Sequence, residues 1–217
     1  MKYLIGIPYT NRPDLLYLAV NSIKVFWPQA ILIDNSKNYD LRYDKQMSPE
    51  IPVYEPPVPL TFSQTMNLLQ RMALERQCQV LLFMHNDAEA HPGTPEAFLA
   101  VLQELQVSGR KWGIALTNYD TLAAFNMEAV MNVGIWDTVL PQYFADIDYY
   151  RRMRLAGYEE VITDLGVTHH NNASSTIKSD SDRMFLHHIT FPLYERYYET
   201  KWGGKIGEER FNTPFNR

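Results

Sequence analysis

Two carboxylates, Asp87 and Glu89, stand where an apolar run ends, and their spacing suits a cation. The run is Val80-Leu81-Leu82-Phe83-Met84, followed by His85-Asn86-Asp87-Ala88-Glu89. Consecutive apolar residues without alternation predict a short strand buried on both faces, as in a parallel sheet. In open α/β sheets, ligands sit beyond the carboxyl ends of the strands, and Asp87 and Glu89 fall there. In extended backbone, residues i and i+2 point to one side, so both carboxylates can meet one ion. Carboxylate oxygens suit a hard cation such as Mg²⁺ or Mn²⁺, with water and substrate phosphates completing its shell. The same residues also fit a solvated turn whose acids cap the next helix.

The elements that must position these carboxylates alternate in type. Residues 3–8 read as a first strand. Asn11-Arg12-Pro13-Asp14 then opens a helix, with Leu15, Leu16, Ala19, Val20, Ile23 and Phe26 at helical spacing and Pro28 as its stop. Residues 30–33 form a second buried strand. A strand-helix-strand unit favours a right-handed crossover and a parallel pair. Residues 37–60 are polar and then proline-rich, with a short strand over 51–54. Thr61-Phe62-Ser63-Gln64 has the form of a capping box. It opens a helix with Met66, Leu69, Met72 and Ala73 on one face. His91-Pro92-Gly93 turns into another helix from Thr94-Pro95, and residues 112–117 are a further strand. This alternation predicts a layered α/β domain.

The second half is less regular. It reads as a short helix over 127–131, an aromatic loop Val133-Gly134-Ile135-Trp136-Asp137, and a helix over 145–156 with Gly157 as its C′ residue. Edge strands follow at 161–162 and 166–169. A polar, mobile stretch covers 171–182, and a helix over 182–198 is broken or kinked at Pro192.

Composition narrows the classes. A chain of 217 residues holds one domain with a substantial core. Its net charge of −5, with signs mixed, offers no general basic surface for nucleic acid. Cys78 is the only cysteine, which excludes an internal disulfide and fits a reducing compartment. No apolar run approaches the roughly 20 residues of a membrane span, so a transmembrane segment is not expected. No signal-peptide pattern precedes the first strand, and a cytoplasmic location is the expectation.

Read in order, several short motifs together resemble glycosyltransferase family 2. Ile7-Pro8-Tyr9-Thr10-Asn11-Arg12 looks like the family's opening nucleotide loop, and Ile33-Asp34-Asn35-Ser36 like its second-strand Asp. Asn67 matches a recurrent Asn, and Asp87-Ala88-Glu89 stands in place of the Asp-x-Asp metal motif. Val133-Gly134-Ile135-Trp136-Asp137 resembles the acceptor-side loop. Ala145-Asp146-Ile147-Asp148 with Arg152 and Ala156-Gly157-Tyr158 resembles the Glu-Asp-x-Asp helix. Val167-Thr168-His169-His170 with Ser174 resembles the late His segment. The match runs from the first strand to about Ser175. Two departures stand out: Glu89 replaces the second Asp, and Ala145 replaces the common Glu.

The resemblance implies a GT-A type domain over 1–217, with a Rossmann-like, mostly parallel sheet flanked by helices. Residues 1–119 would hold the nucleotide, 120–180 would carry acceptor binding and catalysis, and 181–217 would be a C-terminal helix and tail. It implies a metal-dependent, inverting transfer of a hexose from a UDP-sugar to an acceptor hydroxyl on a glycan, lipid-linked sugar or protein. Asp146 is matched to the general base, with its pKa lowered by the helix N-terminus. Asp148 lies about 200° further round the helix, and with Arg152 it also forms an ordinary i,i+4 pair. Asp87, Glu89 and His169 (or His170) would hold Mn²⁺ or Mg²⁺. Pro8, Tyr9, Asn11, Arg12, Asp34, Asn67 and Asp87 would meet the nucleotide. Trp136 and Asp137 are acceptor candidates, with Trp136 equally suited to the core. Lys178, Arg183 or Lys201 could reach the diphosphate, and the Gly203-Gly204 tail could close over it. Ala145 keeps open a different class, a weak or inactive nucleotide-sugar or glycan-binding module. A dinucleotide-binding site is excluded by the absence of glycine from the first turn, and a P-loop by the absence of its motif.

Overall fold

The computed structural model describes residues 1–44, 51–170 and 175–217. Pro49 of the proline-rich stretch, residues 171–174 of the polar stretch and the motif residue Ser174 lie outside the described residues. Nine strands and seven α-helices occur in the order β1 (Tyr3–Tyr9), α1 (Pro13–Ser22), β2 (Ala30–Asp34), β3 (Val53–Tyr54), α2 (Phe62–Glu75), β4 (Val80–Met84), β5 (Ala88–Ala90), α3 (Thr94–Val107), β6 (Trp112–Leu116), β7 (Leu122–Asn126), α4 (Met127–Val133), α5 (Ala145–Leu155), β8 (Glu159–Ile162), β9 (Val167–His169), α6 (Ser175–Lys178) and α7 (Ser181–Trp202), counted among the described residues. None of these helices is long and apolar enough to cross a membrane.

Seven strands form one sheet in the order β3-β2-β1-β4-β7-β6-β8, parallel except for β7. The unbroken apolar runs of β2, β4 and β6 follow from burial on both faces. Alternate residues feed two cores. Leu81 and Phe83 pack under α2, α4, α5 and α7, whereas Val80, Leu82 and Met84 pack under α1 and α3. Gly6 lets α2 lie close on β1, because a Cβ there would stand 2.4 Å from the Leu69 methyls.

The capping box at Thr61 and Gln64 forms as the sequence indicates. Other expectations need correction. Helix α1 ends at Ser22, and residues 24–29 wind as a 3-10 segment with Pro28 inside it. Strand β7 was not legible: its Leu-Ala-Ala-Phe-Asn run is short and carries small residues that fit between β4 and β6. Of the break or kink expected at Pro192, the break does not occur: α7 is continuous through it. Pro192 is exposed, so water can take up the carbonyl that its missing N–H leaves. Residues 175–178, expected within a mobile stretch, form α6.

A second, two-stranded sheet positions the chemistry. Strand β5 pairs antiparallel with β9, setting Ala88 opposite His169. This register brings the segment around His169 against the loop that carries Asp87.

Candidate active site

A cavity of about 430 Å³ opens beyond the carboxyl ends of β1 and β4. In its wall the turn after β4 presents His85 and Asp87, and β9 delivers His169. One ligand atom from each of the three lies within 4.8 Å of the others. Asp87 Oδ1 is 3.1 Å from His169 Nε2 and 4.0 Å from His85 Nδ1, and Asp87 Oδ2 accepts from the Ser175 N–H at 3.3 Å. Burial raises the Asp87 pKa, but the His169 hydrogen bond and the nearby imidazoles outweigh it and leave the carboxyl at about 2. Burial drives His85 down to about 4 against the pull of Asp87. At neutral pH the set is therefore an ionised carboxylate beside a neutral His85, the protonation states a metal ligand needs. The Nδ1 of His169 is buried without a partner among the described residues. These residues fit a divalent cation.

The same cavity is lined by Asp120, from the β6–β7 hairpin, and Asp146, from the first turn of α5. Phe144, in the left-handed conformation at φ 65°, starts α5 without any side-chain cap. The pKa of Asp146 is raised, since burial outweighs the N–H groups of Ile147 and of Asp146 itself. This reverses the lowering expected from the helix end. Asp120 is pushed up to about 6, first by burial and then by the Asp146 charge.

The raised pKa of Asp120 makes a stability prediction. Its folded state holds the proton more tightly than the unfolded chain. The stability this contributes is complete below the ordinary carboxylate pKa and is lost as pH rises through 6. At pH 7.5, Asp120→Asn should therefore be the more stable form by on the order of 2–3 kcal/mol. Chemical denaturation should show that advantage vanish at pH 4, and an equal difference at both pH values would refute it.

The other expected site residues divide. Pro8 lines the cavity. Asn11 donates to the Thr176 carbonyl and accepts at its own carbonyl from Asn86, tying the β1 loop to the β4 loop and α6. Tyr9 instead lies in the core with its hydroxyl on Asp40, and Arg12 is paired with Asp14 outside the cavity. Asp34 spends its carboxylate on the Ser36 and Leu41 N–H groups of its own turn, and the neighbouring Asn35 lines the cavity. Asn67 clamps both backbone polar groups of Trp136.

Trp136 is fully buried and stacks on Tyr149 at 4.2 Å, so it is core and cavity wall together. Asp137 faces away, bonded to Lys201 and Tyr197. Residues 85–88 form a turn rather than the extended backbone expected, so Glu89 does not share a side with Asp87. It meets His170 at 2.9 Å, and His85 joins Asp87 in the site instead. Asp120 carried no signal without β7. Lys201 is buried between Asp148 and Asp137 and cannot reach a diphosphate. The tail also folds back, with Arg210 and Phe211 donating to the Trp202 carbonyl. Arg183 does line the cavity, and is 3.4 Å from Asp180.

No protein-family model matches the sequence, and no curated protein matches it. Solved structures do match. Glucosyl-3-phosphoglycerate synthase from Mycobacterium tuberculosis, in complex with Mn²⁺, UDP and phosphoglyceric acid, aligns at a TM-score of 0.59 and 13% identity, over 88% of this chain and 78% of that one. Staphylococcus aureus TarS in complex with UDP aligns at 0.57 and 12% identity over 77% of this chain. This chain spans 59% of that TarS structure and 36% of a longer one. A cytidylyltransferase from Leptospira borgpetersenii aligns at 0.52 and 10% identity, over 89% and 95% of the two chains. Sheet order, the cavity beyond the strand ends and these alignments agree on one conclusion: the chain has a GT-A-like fold.

Proposed function

We propose that this protein is a metal-dependent, inverting family 2 glycosyltransferase that moves a hexose from a UDP-sugar to an acceptor hydroxyl. The observation that carries the reading is the cluster of His85, Asp87 and His169 in the wall of a cavity that Asp146 and Asp120 also line. Among the described residues, Arg183 is the one Lys or Arg lining that cavity, against three aspartates. A diphosphate would be repelled there without a bound cation. His85, Asp87 and His169 would hold that cation, which would supply charge stabilisation for the departing diphosphate. Two imidazoles and one carboxylate favour Mn²⁺ over Mg²⁺, which prefers oxygen.

The chain's own groups then have defined tasks. Pro8 and Asn35, at the ends of the first two strands, border the nucleotide. Asn11 and Asn86 keep the loops of β1 and β4 together. Asp146 takes the proton of the acceptor hydroxyl as its oxygen bonds to the anomeric carbon. The bond from that carbon to the diphosphate oxygen breaks, and its electron pair leaves with UDP. In this reading residues 1–119 serve the donor and 120–180 the acceptor, with His169 crossing back to the donor side.

Calorimetric titration with UDP tests the donor half. Binding should require Mn²⁺, weaken with Mg²⁺ in its place, and be lost in Asp87→Ala. UDP binding indifferent to both the metal and Asp87 would move the site elsewhere and remove the basis of this reading.

A further inference from the structure

We infer that the acceptor subsite of the cavity takes an uncharged saccharide unit and turns away phosphate- or carboxylate-bearing ones, with Asp120 as the residue that sets this selectivity. The inference rests on the transferase reading above and deepens it.

The chemistry of the wall is the argument. The cavity that Asp146 lines is walled by Phe62, Phe125, Trp136 and Tyr150, and Tyr150 stands one turn after Asp146 on α5. Phe62 and Phe125 meet Trp136 edge-on at 5.3 and 5.8 Å, so the aromatic wall is rigid. Flat aromatic surface with a few polar groups suits the C–H face of a sugar ring. The indole Nε1–H of Trp136 is buried without a partner among the described residues, a donor still in want of an acceptor atom.

Charge then decides which sugars fit. Asp120 and Asp146 both line the cavity, the Asp146 charge reaches Asp120, and Tyr119, next to Asp120 in the chain, holds its ring 5.8 Å from that of His169. Arg183 is the one Lys or Arg among the described lining residues, and its charge is already met by Asp180 at 3.4 Å, which leaves the two acids in excess. An acceptor phosphate or carboxylate would be placed against two carboxylates in a partly desolvated pocket, which like-charge repulsion opposes. Sugar hydroxyls, in contrast, donate to carboxylates. Asp120 comes from the hairpin into β7, so its place at the site follows from the pairing of that strand with β4 and β6.

Saturation-transfer NMR on the full chain with UDP and diamagnetic Mg²⁺ tests this directly. The probes are methyl β-glucoside, methyl β-galactoside and methyl β-N-acetylglucosaminide, each against its sugar 6-phosphate, together with glucuronate. The neutral glycosides should bind at least about tenfold more tightly than their charged counterparts. Asp120→Asn should narrow the gap, and Asp120→Lys should reverse it. Equal or tighter binding of the charged sugars to the unaltered chain would overturn the proposal, as would saturation of none of the sugars. A gap that both Asp120 variants leave intact would overturn the role of Asp120. Calorimetric titration of the same protein with UDP and Mn²⁺ reports separately on the donor site. Absence of UDP binding there, beside a bound neutral glycoside, would defeat the transferase reading while leaving a glycan-binding pocket of the selectivity inferred here.

Discussion

Asp146→Asn is expected to lower turnover by about 10²–10⁴-fold, the usual contribution of a positioned general base, while UDP and Mn²⁺ still bind. Asparagine keeps the volume and the hydrogen-bonding shape of the side chain but cannot accept the proton. The pH profile gives a second readout. Asp146 has a raised pKa because burial disfavours its charged form. A base works only when ionised, so activity should rise with pH through a limb set above the ordinary carboxylate range. That limb should be missing from the residual activity of Asp146→Asn. The alternative module, kept open by Ala145, predicts UDP binding without turnover in the unaltered chain as well. Comparing UDP release with UDP binding in both forms separates the two. A variant that keeps full turnover would remove Asp146 from the mechanism.

Asp148→Ala is expected to destabilise the protein by about 3–5 kcal/mol, because it strands buried positive charge. Asp148 is fully buried and accepts from Arg152 Nε at 3.0 Å and Trp202 Nε1 at 2.9 Å, and it lies 2.6 Å from Lys201 Nζ. Lys201 is itself buried, its other anion being Asp137 at 2.7 Å. The network locks α7 to α5, the helix that carries Asp146. Guanidinium denaturation would measure the loss. Adding Lys201→Met to Asp148→Ala should cost less than the sum of the single changes, since the stranded ammonium is then gone. Strict additivity, or a loss below about 1 kcal/mol, would mean that the network carries little of the stability.

The two carboxylates of α5 show how far local pattern reaches. Their helical angle separates Asp146 from Asp148, and the i,i+4 spacing pairs Asp148 with Arg152. The recruitment of Lys201 and Trp202 from 50 residues onward could not be read, because nothing in the spacing of α7 says which helix it meets.

The same division holds for the whole chain. Apolar runs of β1, β2, β4 and β6, and the capping box of α2, express local rules of burial and hydrogen bonding, so the layered α/β architecture and the place of Asp87 at a strand end were determined by the sequence alone. Strand β7 was not, because its small residues acquire meaning only between the two strands it joins. Asp120 came with it. The cation cluster was decided by the register of β5 on β9, which puts His169 beside Asp87 and sends Glu89 to His170. A one-residue slip would exchange the two faces. The protonation of Asp146 likewise depended on how much chain closes around it, and burial, a property of the assembled tertiary structure, overrode the helix-end field.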